Sequence, residues 1–231
     1  METPKIIALL PMKINSQRVI GKNFKSFNGK PLFQWILKSL LEIPEISKIV
    51  INTDAENLLN DFDLFDLNRV QIRSRRPEIC GDLISMNTII ADDISNVPAD
   101  VYLMTHTTNP ILKSSTIKDA LNTFLSNKAE GNFDSLFTVN RIQTRFYHKD
   151  GSAINHDPNN LIRTQDLEPW YEENSNLYIF TSESFRSAGA RIGNFPFLYE
   201  TPRIEAFDID DIIDWQIAEA VAKYIDISNL S

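Results

Sequence analysis

Short apolar runs alternate with helix-periodic stretches along most of the chain. Residues 5–10 form a continuous apolar run between Pro4 and Pro11, which predicts a buried strand. A helix is predicted over 31–41, with Pro31 in its first turn and Leu32, Trp35, Ile36, Ser39 and Leu40 on one face. Further strands are expected at 48–52, 70–73 and 101–105. Helices at 85–94 and 114–125 each open on a serine suited to capping. Strands at 135–139 and 177–180 follow, and an amphipathic helix over 212–224 closes the pattern. Strands alternating with helices imply an α/β fold, a mostly parallel sheet with helices on both faces. Ligands of such sheets sit at the carboxyl ends of the strands.

Residues 141–176 break the rhythm. They carry few helical signals, several turn formers (Asp150-Gly151, Asp157-Pro158-Asn159-Asn160) and scattered aromatics. An inserted arm of β-hairpin character is expected there, of the kind that builds dimer interfaces. Phe133, Phe137, Tyr147, Trp170 and Tyr178 are expected to pack. No repeat or linker divides the 231 residues, so one domain is expected over 1–231 with the arm inside it.

Charge narrows the function. Lys and Arg number 23 against 31 Asp and Glu, a formal charge of −8, which argues against a nucleic-acid partner. A locally basic pocket for a small anion remains open. The single cysteine, Cys80, pairs with no other and is expected to be a small buried thiol. The apolar run at 6–10 is too short for a secretion signal, and nothing approaches the ~20 apolar residues of a membrane span. A soluble, cytoplasmic protein with no membrane partner is expected.

After the first strand, Lys13, Arg18 and Lys22 fall within ten positions. Basic side chains and loop amides at a strand end suit a polyphosphate; a plain solvated loop would read the same way. The loop is not a P-loop, because Phe24 and Ser16 stand where Gly29-Lys30 and Gly21-Lys22 would each need a preceding glycine. Near the other end, Asp208 and Asp210 are one residue apart, so in an extended segment both point to the same side. Two such carboxylates suit Mg²⁺, which takes its remaining ligands from water and substrate phosphates. The competing reading makes them caps for the helix from 212, although Asp211 and Asp214 suit that acidic start better. His106 lies beyond a strand end, as a substrate contact or as a hydrogen-bonded loop residue. Arg141, Arg145 and Arg163 have forked donors for a substrate carboxylate, or for salt bridges in a dimer.

Ser16-x-Arg18-x-x-Gly21-Lys22-Asn23, followed by Asn28-Gly29-Lys30-Pro31-Leu32, resembles the opening signature of sugar-acid cytidylyltransferases, specifically the acylneuraminate family, with the KDO-activating enzymes as relatives. The likeness continues through Arg76-Pro77-Glu78-Ile79-Cys80-Gly81-Asp82, Thr105-His106-Thr107-Thr108-Asn109-Pro110 and Asp134-Ser135. It extends to Arg163-Thr164-Gln165-Asp166, Asn174-Ser175-Asn176-Leu177-Tyr178-Ile179, and Phe207-Asp208-Ile209-Asp210 with Asp214-Trp215 and Ala218-Glu219. Counting the 163–166 and 174–179 segments as one, six motifs stand in the family's order over nearly the whole chain. The departures are Lys13 where many members have arginine, Gln17 where some carry lysine, and His106 where glutamine is usual.

The resemblance implies a Rossmann-like sheet of the nucleotide-diphospho-sugar transferase type, working as a homodimer. It implies transfer of CMP from CTP to a nine-carbon α-keto sugar acid, with release of pyrophosphate. CTP would be held by Lys13, Ser16, Arg18, Lys22, Asn23, Arg76 and Asp82, with Lys22, Arg18 and Asp210 as the catalytic set. His106, Arg163 and Asn174 would meet the sugar, and Asp208 and Asp210 would bind Mg²⁺. Two other readings stand beside it: a glycosyltransferase using Asp208-Ile209-Asp210, and a non-catalytic sugar-nucleotide-binding relative.

Overall fold

The computed structural model describes residues 4–59, 61, 62, 66, 68–128 and 131–225. Seven strands form one sheet in the order β5-β4-β1-β6-β8-β7-β9: β1 is Ile6–Leu9, β4 Ile46–Thr53, β5 Val70–Ser74, β6 Val101–Thr105, β7 Ser135–Ile142, β8 Trp170–Phe180 and β9 Pro196–Glu200. A two-residue pair, β2 (Ser26–Phe27) with β3 (Lys30–Pro31), lies apart from it. The first four strands of that order are parallel; β8 runs against both β6 and β7, and β9 runs with β7.

The apolar run of β1 is continuous because both faces of the sheet are covered. Ile6, Ala8 and Leu10 pack under Phe33, Ile36, Leu37 and Leu40 of α1 (Leu32–Leu41) and Ile117, Leu121 and Phe124 of α4 (Ser114–Lys128). Ile7 and Leu9 face the opposite way, in a cluster with Ile90 of α3 (Met86–Asn96) and Phe185 of α5 (Ser182–Ala188). A third cluster docks α6 (Ile212–Ile225) through Trp215, Ala218 and Ala222 onto Val19, Phe27, Leu32, Ile111 and Ile209. Phe27 meets Trp215 edge to face, with ring centroids 5.5 Å apart.

All the predicted strands and helices exist, and their ends shift. Pro31 caps α1 from outside, with φ −52° and ψ 140°, and does not enter its first turn. Ser85 caps α3 by accepting from the Asn87 amide. β7 and β8 run well beyond the apolar runs that announced them, pairing out to Ile142 with Trp170. The extra length carries polar residues such as Glu172 and Glu173, so no hydrophobic pattern marks it. The short α2 (Glu56–Leu59), α5 and β9 were not expected. Of the expected arm over 141–176, both ends lie in β7 and β8, and residues 143–169 join those two paired strands as a long excursion. Tyr147 and Trp170, expected to pack, are instead 52% and 41% exposed.

The chain passes from β1 to β4 and β5 on one side, then returns to β6 on the other side of β1. That reversal opens a crevice at the carboxyl ends of the strands.

Candidate active site

A cavity of about 580 Å³ occupies this crevice. Of the residues the sequence singled out, Lys13, Ser16, Arg18, Lys22, Asn23, Asp82, His106, Asp208 and Asp210 line it.

The loop after β1 turns at Gly21, whose φ of 61° lies in the left-handed region that glycine tolerates. Asn23 ties this loop together: its amide donates to the Lys13 carbonyl (2.7 Å) and its oxygen accepts from the Thr107 hydroxyl at the end of β6 (2.6 Å). Its side chain is thus engaged in shaping the loop. A buried polar network underpins the same loop. Arg75 donates to the carbonyls of Met12 (3.0 Å) and Asn52 (2.7 Å) and to the Asn52 side-chain oxygen (2.9 Å). Asn52 donates in turn to Asp93 (2.8 Å), which also pairs with Arg73. Burial raises the Asp93 carboxyl to about 6.

Each loop cation stands with a carboxylate or carbonyl of its own chain. Lys13 forms a close ion pair with Asp82, whose other oxygen accepts from Gln17 (2.6 Å). That hydrogen bond from Lys13 holds the Asp82 carboxyl below its ordinary range. Arg18 pairs with Asp210 at 3.0 Å. Lys22, the more buried of the three, donates to the Ile209 carbonyl at 2.6 Å. Burial lowers its pKa, while Asp208 and then Asp210 pull it upward.

The period-two expectation for 208–210 holds: Asp208 and Asp210 line the cavity while Ile209 is fully buried between Val19 and Trp215. The capping reading does not hold for this pair. Asp211 caps α6, accepting from the amides of Ile213 (2.7 Å) and Asp214 (3.0 Å), and Asp214 accepts back from the amides of Asp210 and Asp211. Asp208 is left with a buried Oδ1 that has no hydrogen-bond partner among the described residues. Burial raises its pKa, and a hydrogen bond with the Thr108 side chain pulls the other way. An unpaired buried carboxylate oxygen beside a second carboxylate fits a hard cation. Among the described residues no group of three or more Asp, Glu, His or Cys is placed to hold a metal ion, so such an ion would draw its other ligands from substrate and water.

Three expected residues lie outside the cavity. Arg76 pairs with Asp92 on α3 at 3.0 Å. Asn174 is buried and donates to Asn140 (3.0 Å) and Thr201 (2.7 Å), bracing β8 against its neighbours. Arg163 sits on the arm, its fork closed on Asp166 at 2.7 and 3.0 Å.

No sequence signal marked Arg191. It lines the cavity from the loop after α5, with its guanidinium 3.8 Å above the Tyr178 ring. It donates to the Tyr178 hydroxyl (2.9 Å) and reaches His106 Nε2 (3.3 Å). Burial, then the Arg191 charge, pushes the His106 imidazole down to about 3, so it is neutral at physiological pH.

A family model described as "Cytidylyltransferase" matches residues 7–224. The chain is 28% identical over 226 residues to an N-acylneuraminate cytidylyltransferase of Oncorhynchus mykiss, covering 94% of this chain and 50% of that protein. It is 22% identical over 226 residues to a pseudaminic acid cytidylyltransferase of Campylobacter jejuni, covering 95% and 97% respectively. The chain thus spans about half of the first relative and nearly all of the second. Among solved structures, a CMP:2-keto-3-deoxy-manno-octonic acid synthetase complexed with CTP superposes with a TM-score of 0.67 at 14% identity, over 96% of this chain and 99% of that one. That likeness shows the shared fold.

Proposed function

From the premise that this chain belongs to the cytidylyltransferase family, we propose that it transfers the cytidylyl group of CTP to a nine-carbon α-keto sugar acid and releases pyrophosphate. The observation that carries this reading is the facing arrangement of Lys13, Arg18 and Lys22 with Asp208 and Asp210 across one cavity. The family match sets aside the glycosyltransferase reading of Asp208-Ile209-Asp210.

In the proposed reaction the anomeric hydroxyl of the sugar attacks the α-phosphorus in line, and the bond to pyrophosphate breaks. Lys13, Arg18 and Lys22 would neutralise the triphosphate, each exchanging an internal partner for a phosphate oxygen. Asp208 and Asp210 would hold Mg²⁺, which would supply further charge neutralisation on the phosphates. Ser16 lines the same space, and Asn23 keeps the loop in shape. His106 is not suited to be the general base. A guanidinium can only donate, so the neutral imidazole accepts at Nε2 and keeps its proton on Nδ1.

The arm fits a homodimer, in which residues 141–176 would reach the partner and help cover its sugar site, with Arg163 or Asn174 nearby. Supporting this are the apolar side chains it exposes, Tyr147, Leu161 and Trp170 among them. Sedimentation at micromolar concentration should show a dimer. A monomer with full activity would overturn the assembly. Cytoplasmic residence is proposed with it, and no described helix is long and apolar enough to cross a membrane.

The direct test is pyrophosphate release from CTP and Mg²⁺ over sialic, legionaminic and pseudaminic acids. CTP binding with no turnover on any of them would favour a non-catalytic relative instead.

A further inference from the structure

We propose that Arg191 is the specificity-determining cation of the acceptor site, binding the substrate's carboxylate on the β8 side of the cavity; this rests on the sugar-acid cytidylyltransferase reading above. Five cationic side chains line the cavity: Lys13, Arg18, Lys22, Arg75 and Arg191. The first three belong to one loop and face the two aspartates. Arg75 is committed to the backbone of Met12 and Asn52. Arg191 comes from a different element, the loop after α5, and reaches His106 Nε2 at 3.3 Å.

Its partners leave it free to take a carboxylate. A guanidinium has five N–H donors, and Arg191 directs them at neutral acceptors: the Tyr178 hydroxyl, His106 Nε2 and, at 3.8 Å, the Met104 sulfur. Glu173 is its one ion-pair partner among the described residues, at 3.5 Å from Nη2. Arg163 differs sharply, since Asp166 already closes both prongs of its fork. Arg191 is also held in orientation. Stacking on Tyr178 fixes the guanidinium plane, and Asn87 accepts from the Arg191 amide at 3.2 Å. Ser175, two residues after the β8 pairing with β7 breaks register, takes a positive φ of 59° and lines the same wall. Strained backbone of this kind persists where surrounding structure demands it, often at ligand sites. His106 lines the same cavity and, accepting from Arg191 at Nε2, keeps its proton on Nδ1. A planar, fixed fork beside a neutral imidazole donor matches a carboxylate and offers little to a neutral sugar.

The test compares an acid with its neutral ester. The sugar acid that supports pyrophosphate release and its methyl ester are measured as substrate and competitor, in the wild type, Arg191→Gln and Arg191→Lys. The wild type should prefer the acid by about ten- to a hundredfold, the effect of a charge-assisted hydrogen bond. In Arg191→Gln that preference should fall below about threefold, with KM for CTP within about twofold of wild type. Arg191→Lys should keep part of the preference, because the charge remains and the fork is lost. Should the Gln variant fail to fold, the Lys variant carries the test: a full, unreduced preference there would overturn the proposal. An equal loss for acid and ester, or an unchanged preference in Arg191→Gln, would leave Arg191 a packing residue and overturn it too. Absence of turnover in the wild type with every acid would instead overturn the activity reading, and this assignment with it.

Discussion

At one end of the cavity, three loop cations each hold a carboxylate or carbonyl of the same chain, and the two ion pairs among them are exposed: Lys13 with Asp82 and Arg18 with Asp210. At the other end a single arginine lies on a tyrosine, 18% exposed, with neutral acceptors close to it and one carboxylate, Glu173, at 3.5 Å. Exposed ion pairs contribute little, about 0–1 kcal/mol each. The first end can therefore exchange its internal partners for phosphates at small cost. The second end cannot rearrange without unstacking a ring. Many weakly committed charges suit a polyanion whose position shifts during reaction, and one fixed fork suits a single small anion that must be chosen correctly. Burial of the cation, more than the number of cations, separates the two ends.

The largest effect should come from breaking the loop end at its acidic side. Asp210→Asn should lower turnover by at least about a hundredfold, as loss of an electrostatic group in an active site does, while the melting temperature stays near wild type, because Asp211 is the α6 cap. Asp211→Asn serves as control: it should keep its activity, since asparagine caps helices about as well as aspartate. A lowered melting temperature with intact Mg²⁺ dependence in Asp210→Asn would place the ion elsewhere.

Lys22 comes next. Its half-buried ammonium should matter more than the exposed one of Lys13, so Lys22→Ala should raise KM for CTP by about ten- to a hundredfold. KM for the sugar acid should hardly move. Steady-state kinetics with each substrate varied in turn decide this, and a rise confined to the sugar acid would contradict the assignment.

At the Arg191 end, His106 predicts an acid sensitivity. Its folded pKa of about 3 lies below the unfolded value near 6.5. Between those values the unfolded chain binds the extra proton, so stability is lost as pH falls below about 6.5. At pH 5.5 the loss should be about 1.4 kcal/mol, one pKa unit. Denaturant titrations at pH 7 and 5.5 should show His106→Gln losing less than wild type. Asp93, raised to about 6, acts in the opposite sense, favouring the fold as pH falls toward 3.8, so the comparison must be made between the two proteins and not on wild type alone.

The smallest effect should come from Asp82. Asp82→Asn releases Lys13 from an exposed pair, and KM for CTP should change by less than about fivefold. A rise of tenfold or more would mean that Asp82 meets the nucleotide itself.

The loop end was legible in the sequence because its signals are local. Three cations within ten residues after an apolar run mark the loop, and the alternation Asp208-Ile209-Asp210 marks the facing wall. The other end was not legible. Arg191 follows Ala188-Gly189-Ala190 in an unremarkable loop, and gains meaning only beside His106, 85 positions away. Arg163 and Asn174 were named for the reverse reason. Their motif is local and recognisable, but within this chain Asp166 and Thr201 take their donors. Nor did any sequence signal mark Asp92 and Asp93, which turn inward because Arg73 and Asn52 on neighbouring strands meet them. Hydrophobic runs gave the sheet its middle, and its polar margins along the arm escaped notice.

The docking of α6 also sets a timetable for the newly made chain. The loop after β1 is synthesised well before α6, so Val19, Phe27 and Leu32 lack part of their cover until Trp215 and Ala218 arrive almost 200 residues later. β1 itself can pair much earlier, once β4 and β6 have been made on either side of it. The scaffold can therefore settle while the chemistry is still unfinished, and Asp208 and Asp210 come in on the same late segment that closes the loop. Contacts so distant along the chain form slowly, so this seam should be the last part of the molecule to gain protection from hydrogen exchange during refolding. A chain interrupted before that point would carry a sheet and three cations, with Asp82 to hold Lys13 but nothing to aim Arg18 and Lys22.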